Sequence, residues 1–290
     1  ILERHRGKAG IIYCTSRRDV DALATWLTGI GFPALPYHAG LPDAERSRNQ
    51  DAFLSERVEI VVATVAFGMG IDRSNVRFVV HAGAPRSLEH YQQESGRAGR
   101  DGLEAECVLI YSSADFMKWR LMLEQNGELT DAAVLLLRHI ERYAAGIGCR
   151  HRHLAEYFGD RYPPGGCAAC DYCLDELEPA REPVVLARKI LSCVMRVGQR
   201  FGANHIANVL RGHTSDQVIA RGHEKLSTFG LLSDASVAEV RGYIEQLVGA
   251  DLLRREAADL AGAGVGGADI ELDLPDVLQA LEIDEFDQQV

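Results

Sequence analysis

Tyr91-Gln-Gln-Glu-Ser-Gly-Arg-Ala-Gly-Arg-Asp-Gly102 sets two arginines, Arg97 and Arg100, three residues apart between glycines. On a helix, residues at i and i+3 lie on one face, so both guanidiniums reach a single polyanion. Gly96 and Gly99 leave the neighbouring backbone bare enough for a close approach. A guanidinium is planar, permanently charged and bidentate towards phosphate oxygens, so a converging pair suits a triphosphate. Two arginines at this spacing are more often ordinary solvated surface, and the rest of the string decides between these readings.

The whole string resembles the last motif of superfamily 2 helicases, in the form worn by the RecQ family of DNA helicases. The resemblance implies that Gln93 senses the γ-phosphate, or couples it to DNA, and that Arg97 and Arg100 contact the nucleotide. Arg100 is then the arginine finger. Two upstream stretches resemble the same family. Glu59–Asp72 reads E-I-V-V-A-T-V-A-F-G-M-G-I-D, a strand ending at Ala63 and then Thr64, Gly68 and Gly70, where glycines permit tight turns. It resembles motif V, which implies Thr64 on a nucleic-acid phosphate, Gly70 and Asp72 at the nucleotide, and Asp72 on a ribose hydroxyl or in a relay. Gly10–Ser16 resembles motif IV. Tyr37-His-Ala-Gly-Leu41 resembles the segment whose backbone and His38 lie along DNA. A lone His after a strand is more often structural.

No G-x-x-x-x-G-K-[ST] loop appears, nor a Mg²⁺-holding carboxylate pair. In the family these belong to a first RecA-like lobe. The chain is therefore expected to hold half of an ATP and Mg²⁺ site and to be inactive alone.

Composition agrees with a multi-domain globular protein. The chain has 290 residues, 47% of them hydrophobic, and opens Ile-Leu-Glu-Arg-His-Arg without an initiator Met, as a piece of a longer chain would. No apolar run reaches the ~18 residues that cross a membrane, so no membrane partner and a cytoplasmic location are expected. A net charge of −11 argues superficially against nucleic acid, but the charge is unevenly spread. Residues 183–256 carry ten Lys and Arg against seven Asp and Glu, whereas residues 257–290 carry nine acids and no base. Local patches, not totals, set nucleic-acid affinity. The acidic end either repels DNA or closes the domain before it.

Residues 9–111 alternate short apolar runs (10–14, 34–38, 59–63, 77–81 and 106–111), most of them rich in Val and Ile, with helical patterns at 17–28 and 43–55. Such alternation predicts a parallel sheet covered on both faces, with ligands at the carboxyl ends of its strands. Past Ser112 the pattern is helical, with 114–125 and 131–143 reading as an αα-hairpin. Helices follow at 187–198, 203–210 and 237–250, with a strand expected at 225–232.

Four of the seven cysteines, Cys149, Cys167, Cys170 and Cys173, give C-x₁₇-C-x₂-C-x₂-C. Thiolates at this spacing turn onto one cation and close a tetrahedron, which favours a structural metal over disulfides. A bacterial iron–sulfur pattern begins the same way, but continues with a Cys-Pro that is absent after Cys173. His151 and His153 are alternative ligands. The flanking residues C-R-H-R-H-L-A-E-Y-F-G-D and C-A-A-C-D-Y-C-L-D resemble the RecQ zinc-binding domain, implying Zn²⁺. Arg138, Arg142, Arg150 and Arg152 nearby are candidates to steer DNA.

Leu191–Gly202, Val209–Gly212 and Arg221–Ser227 resemble the RecQ C-terminal winged helix. That resemblance implies duplex phosphates at Arg211 and His213 and a wing hairpin near 226–234. Phe229 at its tip either stacks on an end base pair or packs beneath the wing. Leu232 replaces the family's second glycine in this turn.

The fold expected is an α/β RecA-like parallel-sheet lobe (1–115), then a helical zinc-binding domain (116–182), a winged helix (183–256) and an acidic tail or divergent winged-helix end (257–290). The resemblance implies the C-terminal part of an ATP-dependent 3′-to-5′ DNA helicase, with single-stranded DNA, duplex junctions and a first RecA-like lobe as partners. The alternatives are an RNA helicase of the same superfamily and a non-enzymatic zinc and winged-helix DNA-binding module with a vestigial lobe.

Overall fold

A computed structural model describes residues 1–68, 71–177, 180–250, 252–256 and 269–272. The chain divides into two compact units, residues 1–144 and 145–290. No helix among the described residues is long and apolar enough to cross a membrane.

The first unit is built on five parallel strands, β1 (Ala9–Cys14), β2 (Ala34–Tyr37), β3 (Ile60–Ala63), β4 (Val76–Ala82) and β5 (Glu106–Ile110). Their order is β2-β3-β1-β4-β5. β1 and β3 are buried along their whole length because both faces are covered, as their unbroken apolar runs require. One face carries Val20, Ala24 and Leu27 of α1 (Arg17–Gly29), and the other carries Phe53 of α2 (Asp43–Leu54) with Phe67. Gly10 is there because Phe78 fills its place: a Cβ on it would stand 1.9 Å from the ring. The sheet is thus the one expected, each strand within about two residues of its sequence limits.

After β4 the chain forms α3 (Leu88–Ser95), whose first turn is capped by the Ser87 side chain. α3 ends at Ser95, so Arg97 and Arg100 stand in turns beyond it and not together on a helix face, a correction to the expected i, i+3 geometry. Gly99 at φ +63° turns the chain and donates its N–H to the carbonyl of Val76, the first residue of β4. Next come α4 (Ser113–Gln125), closed by a Ser112/Asp115 capping box, and α5 (Asp131–Ala145). The two helices, except for Ala145 itself, fall within the first unit.

The second unit begins with α6 (Arg150–Tyr157), which has no buried side chain. Its apolar core lies further on, among α7 (Pro183–Arg196), α8 (Ala203–Arg211), α9 (Asp216–Ala220) and α10 (Val237–Gly249). An antiparallel hairpin, β6 (Leu253–Glu256) with β7 (Asp269–Leu272), completes it.

The hairpin corrects one sequence expectation and bears on another. Residues 225–232 form no strand: the Phe229 N–H bonds back to the Leu226 carbonyl and Gly230 turns at φ +78°. The wing is therefore not at 226–234, and Phe229 is not its tip; half-buried Phe229 packs on the core beside Gly212. Leu232, where the family has glycine, is 7% exposed within that core. At the acidic end, the described residues follow the second of the two readings, a closing element of the domain before it. Residues 269–272 are structural, with Ile270 1% exposed and its N–H 3.3 Å from the Phe201 carbonyl. The remainder of 257–290 lies outside the described residues.

A chain ending at Glu256 therefore loses the partner of β6. Burial of one Ile is worth about 1.5–3 kcal/mol. The shortened chain is expected to melt several degrees lower and to bind duplex DNA less tightly. Tighter duplex binding at an unchanged melting temperature would instead restore electrostatic repulsion as the role of the acidic end.

Candidate functional site

Two neighbouring strands bring two of the expected nucleic-acid residues to one edge of the sheet. His38 directly follows β2 and Thr64 directly follows β3, and the Thr64 N–H bonds to the Tyr37 carbonyl at 3.1 Å. Thr64 is half-buried. His38 is different, at 5% exposed. Its Nδ1 accepts the Gly40 N–H at 3.1 Å, which puts the ring proton on Nε2, 2.9 Å from Asp21 Oδ1. Both ring nitrogens are thus occupied within the lobe, and His38 serves this edge by fixing the backbone at Gly40.

The expected nucleotide residues assemble elsewhere, towards the start of β4 instead of the carboxyl ends of the strands. Asp72 and Arg100 approach there, Oδ1 to Nη1 at 3.6 Å, with side chains 93% and 40% exposed. Arg100 also reaches the carbonyls of Gly96 and Ile71, both at 3.3 Å. These are long, solvent-facing contacts, of the kind worth at most about 1 kcal/mol. Arg100 is held loosely and is easily redirected to a stronger anion. The loop behind it is firm: Arg77 Nη2 lies 2.6 Å from each carboxylate oxygen of Asp101, holding that carboxyl below its usual range. Gln93 projects from α3 into solvent. Gly70 lies outside the described residues.

Arg97 does not stand beside Arg100 on this surface. It is 5% exposed, and its Nη2 lies 3.0 Å from where a Cβ on Gly68 would be. Its guanidinium lies beside the Tyr13 hydroxyl, which donates to the Phe67 carbonyl at 2.9 Å, and its buried Nε has no hydrogen-bond partner among the described residues. Burial drives the Tyr13 phenol upward, against the lowering effect of Arg97, and keeps it neutral. Arg97 thereby joins the loop after β3 to the turn after α3. The expected pair resolves into one exposed arginine and one internal strut.

The four cysteines meet in the second unit, every Sγ within 4.8 Å of the others and none in a disulfide. A tetrahedral thiolate site with bonds of about 2.3 Å requires sulfurs about 3.8 Å apart, so the donor set fits a four-coordinate cation. Cys149 is the N-cap of α6. Burial raises its thiol, but the Arg152 N–H and hydrogen bonds from Cys173 and Cys167 outweigh that and bring it down to about 7. The N–H of Cys170 points at Cys167 Sγ (3.2 Å) and that of Cys167 at Cys173 Sγ (3.3 Å). Neither His151 nor His153 belongs to the cluster. Arg150, one of the arginines offered as steering DNA, spends its guanidinium on a fork to both oxygens of Asp171 at 2.9 Å and on the Gly146 carbonyl.

In the winged helix, Arg211 Nε donates to the Ala235 carbonyl at 2.7 Å, tying the end of α8 to the approach to α10. His213 is exposed just past the left-handed Gly212 cap. Two buried groups had no part in the sequence reading, His81 on β4 and Glu94 on α3, joined at 2.9 Å. A histidine inside the apolar run V-V-H-A was their available signal, since a buried imidazole calls for a partner.

Three family models match the chain in succession: the helicase conserved C-terminal domain over residues 1–102, RecQ zinc-binding over 113–174 and the RQC domain over 181–267. The second spans all four cysteines, and with their geometry it makes the cluster a structural Zn²⁺ site. Among curated proteins, the ATP-dependent DNA helicase RecQ of Bacillus subtilis is 39% identical over 255 residues, 87% of this chain and 43% of that protein. The protein of the same name in Pasteurella multocida is 42% identical over 245 residues, 84% of this chain and 38% of its own length. The RecQ-like DNA helicase blm-1 of Caenorhabditis elegans is 34% identical over 260 residues, 83% of this chain and 26% of its own length. The chain thus spans less than half the length of these relatives.

Proposed function

We propose, from the premise that this chain belongs to the RecQ family, that it is the C-terminal part of an ATP-dependent 3′-to-5′ DNA helicase. The observation that carries the reading is Arg100, exposed and loosely held on a firmly tethered loop. In this role Arg100 acts as the arginine finger. It leaves Asp72 for the γ-phosphate of an ATP and Mg²⁺ held chiefly by a first RecA-like lobe, and neutralises charge as the phosphoryl group transfers. Gln93 reads the γ-phosphate, Asp72 and Gly70 face the nucleotide, and Arg97 carries the position of the loop after β3 into that site. On its own the chain leaves ATP intact.

DNA is the polymer acted on. Single-stranded DNA runs along the edge formed by Thr64 and the backbone near His38 and Gly40. The winged helix meets duplex phosphates through His213 and the end of α8 at Arg211. The zinc keeps the segment before it folded. The four-cysteine domain followed by the RQC domain supports this reading over an RNA helicase. The cytoplasm is the proposed location.

Binding of labelled duplex DNA and duplex RNA of one sequence to this chain, across a salt series, tests the choice of polymer. DNA is expected to bind more tightly, with affinity falling as salt rises because phosphate contacts release counterions. Equal or tighter RNA binding would favour the RNA helicase reading.

A further inference from the structure

Beneath α3 lies a polar pair that the nucleotide-facing residues leave unexplained. His81 of β4 is 1% exposed and Glu94 of α3 is 6% exposed. His81 Nε2 and Glu94 Oε2 are 2.9 Å apart. The imidazole is held flat between aromatic rings, stacked on Tyr13 at 5.5 Å and tilted against Tyr91 at 4.9 Å. Tyr91 in turn packs on Tyr143 at 5.1 Å. His81 Nδ1 is buried and has no hydrogen-bond partner among the described residues.

Stability alone is a poor reason for this pair. Apolar side chains at both positions would cover the sheet as well, without desolvating a carboxylate and an imidazole. A single directional bond between strand and helix does what apolar packing does not: it selects one rotation and one axial position. A slip of one residue along a helix turns each side chain by about 100° and moves it 1.5 Å. Glu94 directly follows Gln93 and stands three residues before Arg97, so any displacement of Glu94 passes to both. The Gly99 bond to Val76 anchors the far end of the same segment to β4. The segment from 88 to 102 is thereby tied to β4 by the Gly99–Val76 bond and the Arg77–Asp101 fork at its far end, and by the His81–Glu94 bond within α3 itself.

Resting on the helicase reading above, we infer that His81 and Glu94 are positioning residues for the ATP site. Their buried hydrogen bond sets α3, and with it Gln93 and the turn that bears Arg100, against β4. Neither touches the nucleotide.

The test uses three variants: His81→Phe, Glu94→Gln and the double variant His81→Phe/Glu94→Leu. Phe keeps the aromatic stack and loses the bond. Gln keeps an oxygen that accepts from Nε2. The double variant removes both polar partners, which relieves the unpaired carboxylate and returns the melting temperature to near that of the wild type. Two readouts are taken. In this chain, hydrogen exchange of amides 88–102 is expected to quicken in the double variant while β1 and β4 stay protected, and to remain near wild type in Glu94→Gln. In a chain that also carries the first lobe, kcat for ATP is expected to fall about 10²-fold in the double variant. KM should change little, and Glu94→Gln should retain most of the turnover. Wild-type exchange and turnover in the double variant would overturn the inference. So would a fall in Glu94→Gln as large as in the double variant, because charge and not the bond would then matter. A wild-type two-lobe protein without ATPase would count against the helicase reading alone, and the exchange result would still decide the positioning role.

Discussion

Arg100→Ala, in a chain carrying both RecA-like lobes, is expected to lower kcat for ATP by about 10³-fold or more while leaving DNA affinity close to wild type. The fold has little to lose. The side chain is 40% exposed, its ion pair to Asp72 is 3.6 Å long, and its two carbonyl contacts are 3.3 Å. Asp101, not Arg100, clamps the loop to Arg77. What disappears is a cation free to neutralise the transferring phosphoryl group. Arg100→Lys should rescue little, because an ammonium lacks the planar fork. Arg97→Ala makes the contrast: Arg97 is 5% exposed and packed against Gly68 and Tyr13, so its loss should lower the melting temperature as well as turnover. Steady-state ATPase and thermal melting on the three proteins separate these outcomes, and wild-type turnover in Arg100→Ala would remove it from the site.

Removing the metal should have the second large effect. Among the described residues from 146 to 177, the only buried side chains are those of Cys149 and Cys170. This segment has no apolar core, and the Arg150–Asp171 fork is worth about 1 kcal/mol at its partly exposed position. Metal binding by four thiolates supplies on the order of 10 kcal/mol. Cys170→Ser, or prolonged chelation, is therefore expected to open 146–177 to protease while residues 1–110 stay resistant. Elemental analysis of the untreated protein should return zinc in a colourless solution. Visible absorption of the iron–sulfur kind after anaerobic purification would overturn the assignment, and so would protease resistance after complete removal of zinc.

The central strands β1, β3 and β4 were legible because parallel strands buried on both faces are written as apolar runs rich in Val and Ile, and the edge strands β2 and β5 by their place in the alternation with helices. The metal ligands were legible because cysteine spacing is itself geometry. The orientation of Arg97 was not. An arginine between glycines looks solvated, and its burial depends on Gly68 and Tyr13, far away in sequence, and on α3 stopping at Ser95. The wing was misplaced for a related reason. Leu226–Leu232 is apolar enough to read as a strand, but Gly230 turns it and Leu226 and Leu232 feed the helical core. The true hairpin, L-R-R-E with D-I-E-L, is too charged and too short to announce a strand by alternation. Its second half sits in the acidic end, for which a closing element of the domain was one of the two readings.

ATP turnover with and without single-stranded DNA, measured on this chain alone and on a chain that also carries a first RecA-like lobe, tests the half-site most directly. Turnover is expected only when both lobes are present, stimulated by DNA and abolished by Arg100→Ala. Hydrolysis by this chain alone, or a two-lobe protein that is inert with DNA, would contradict it.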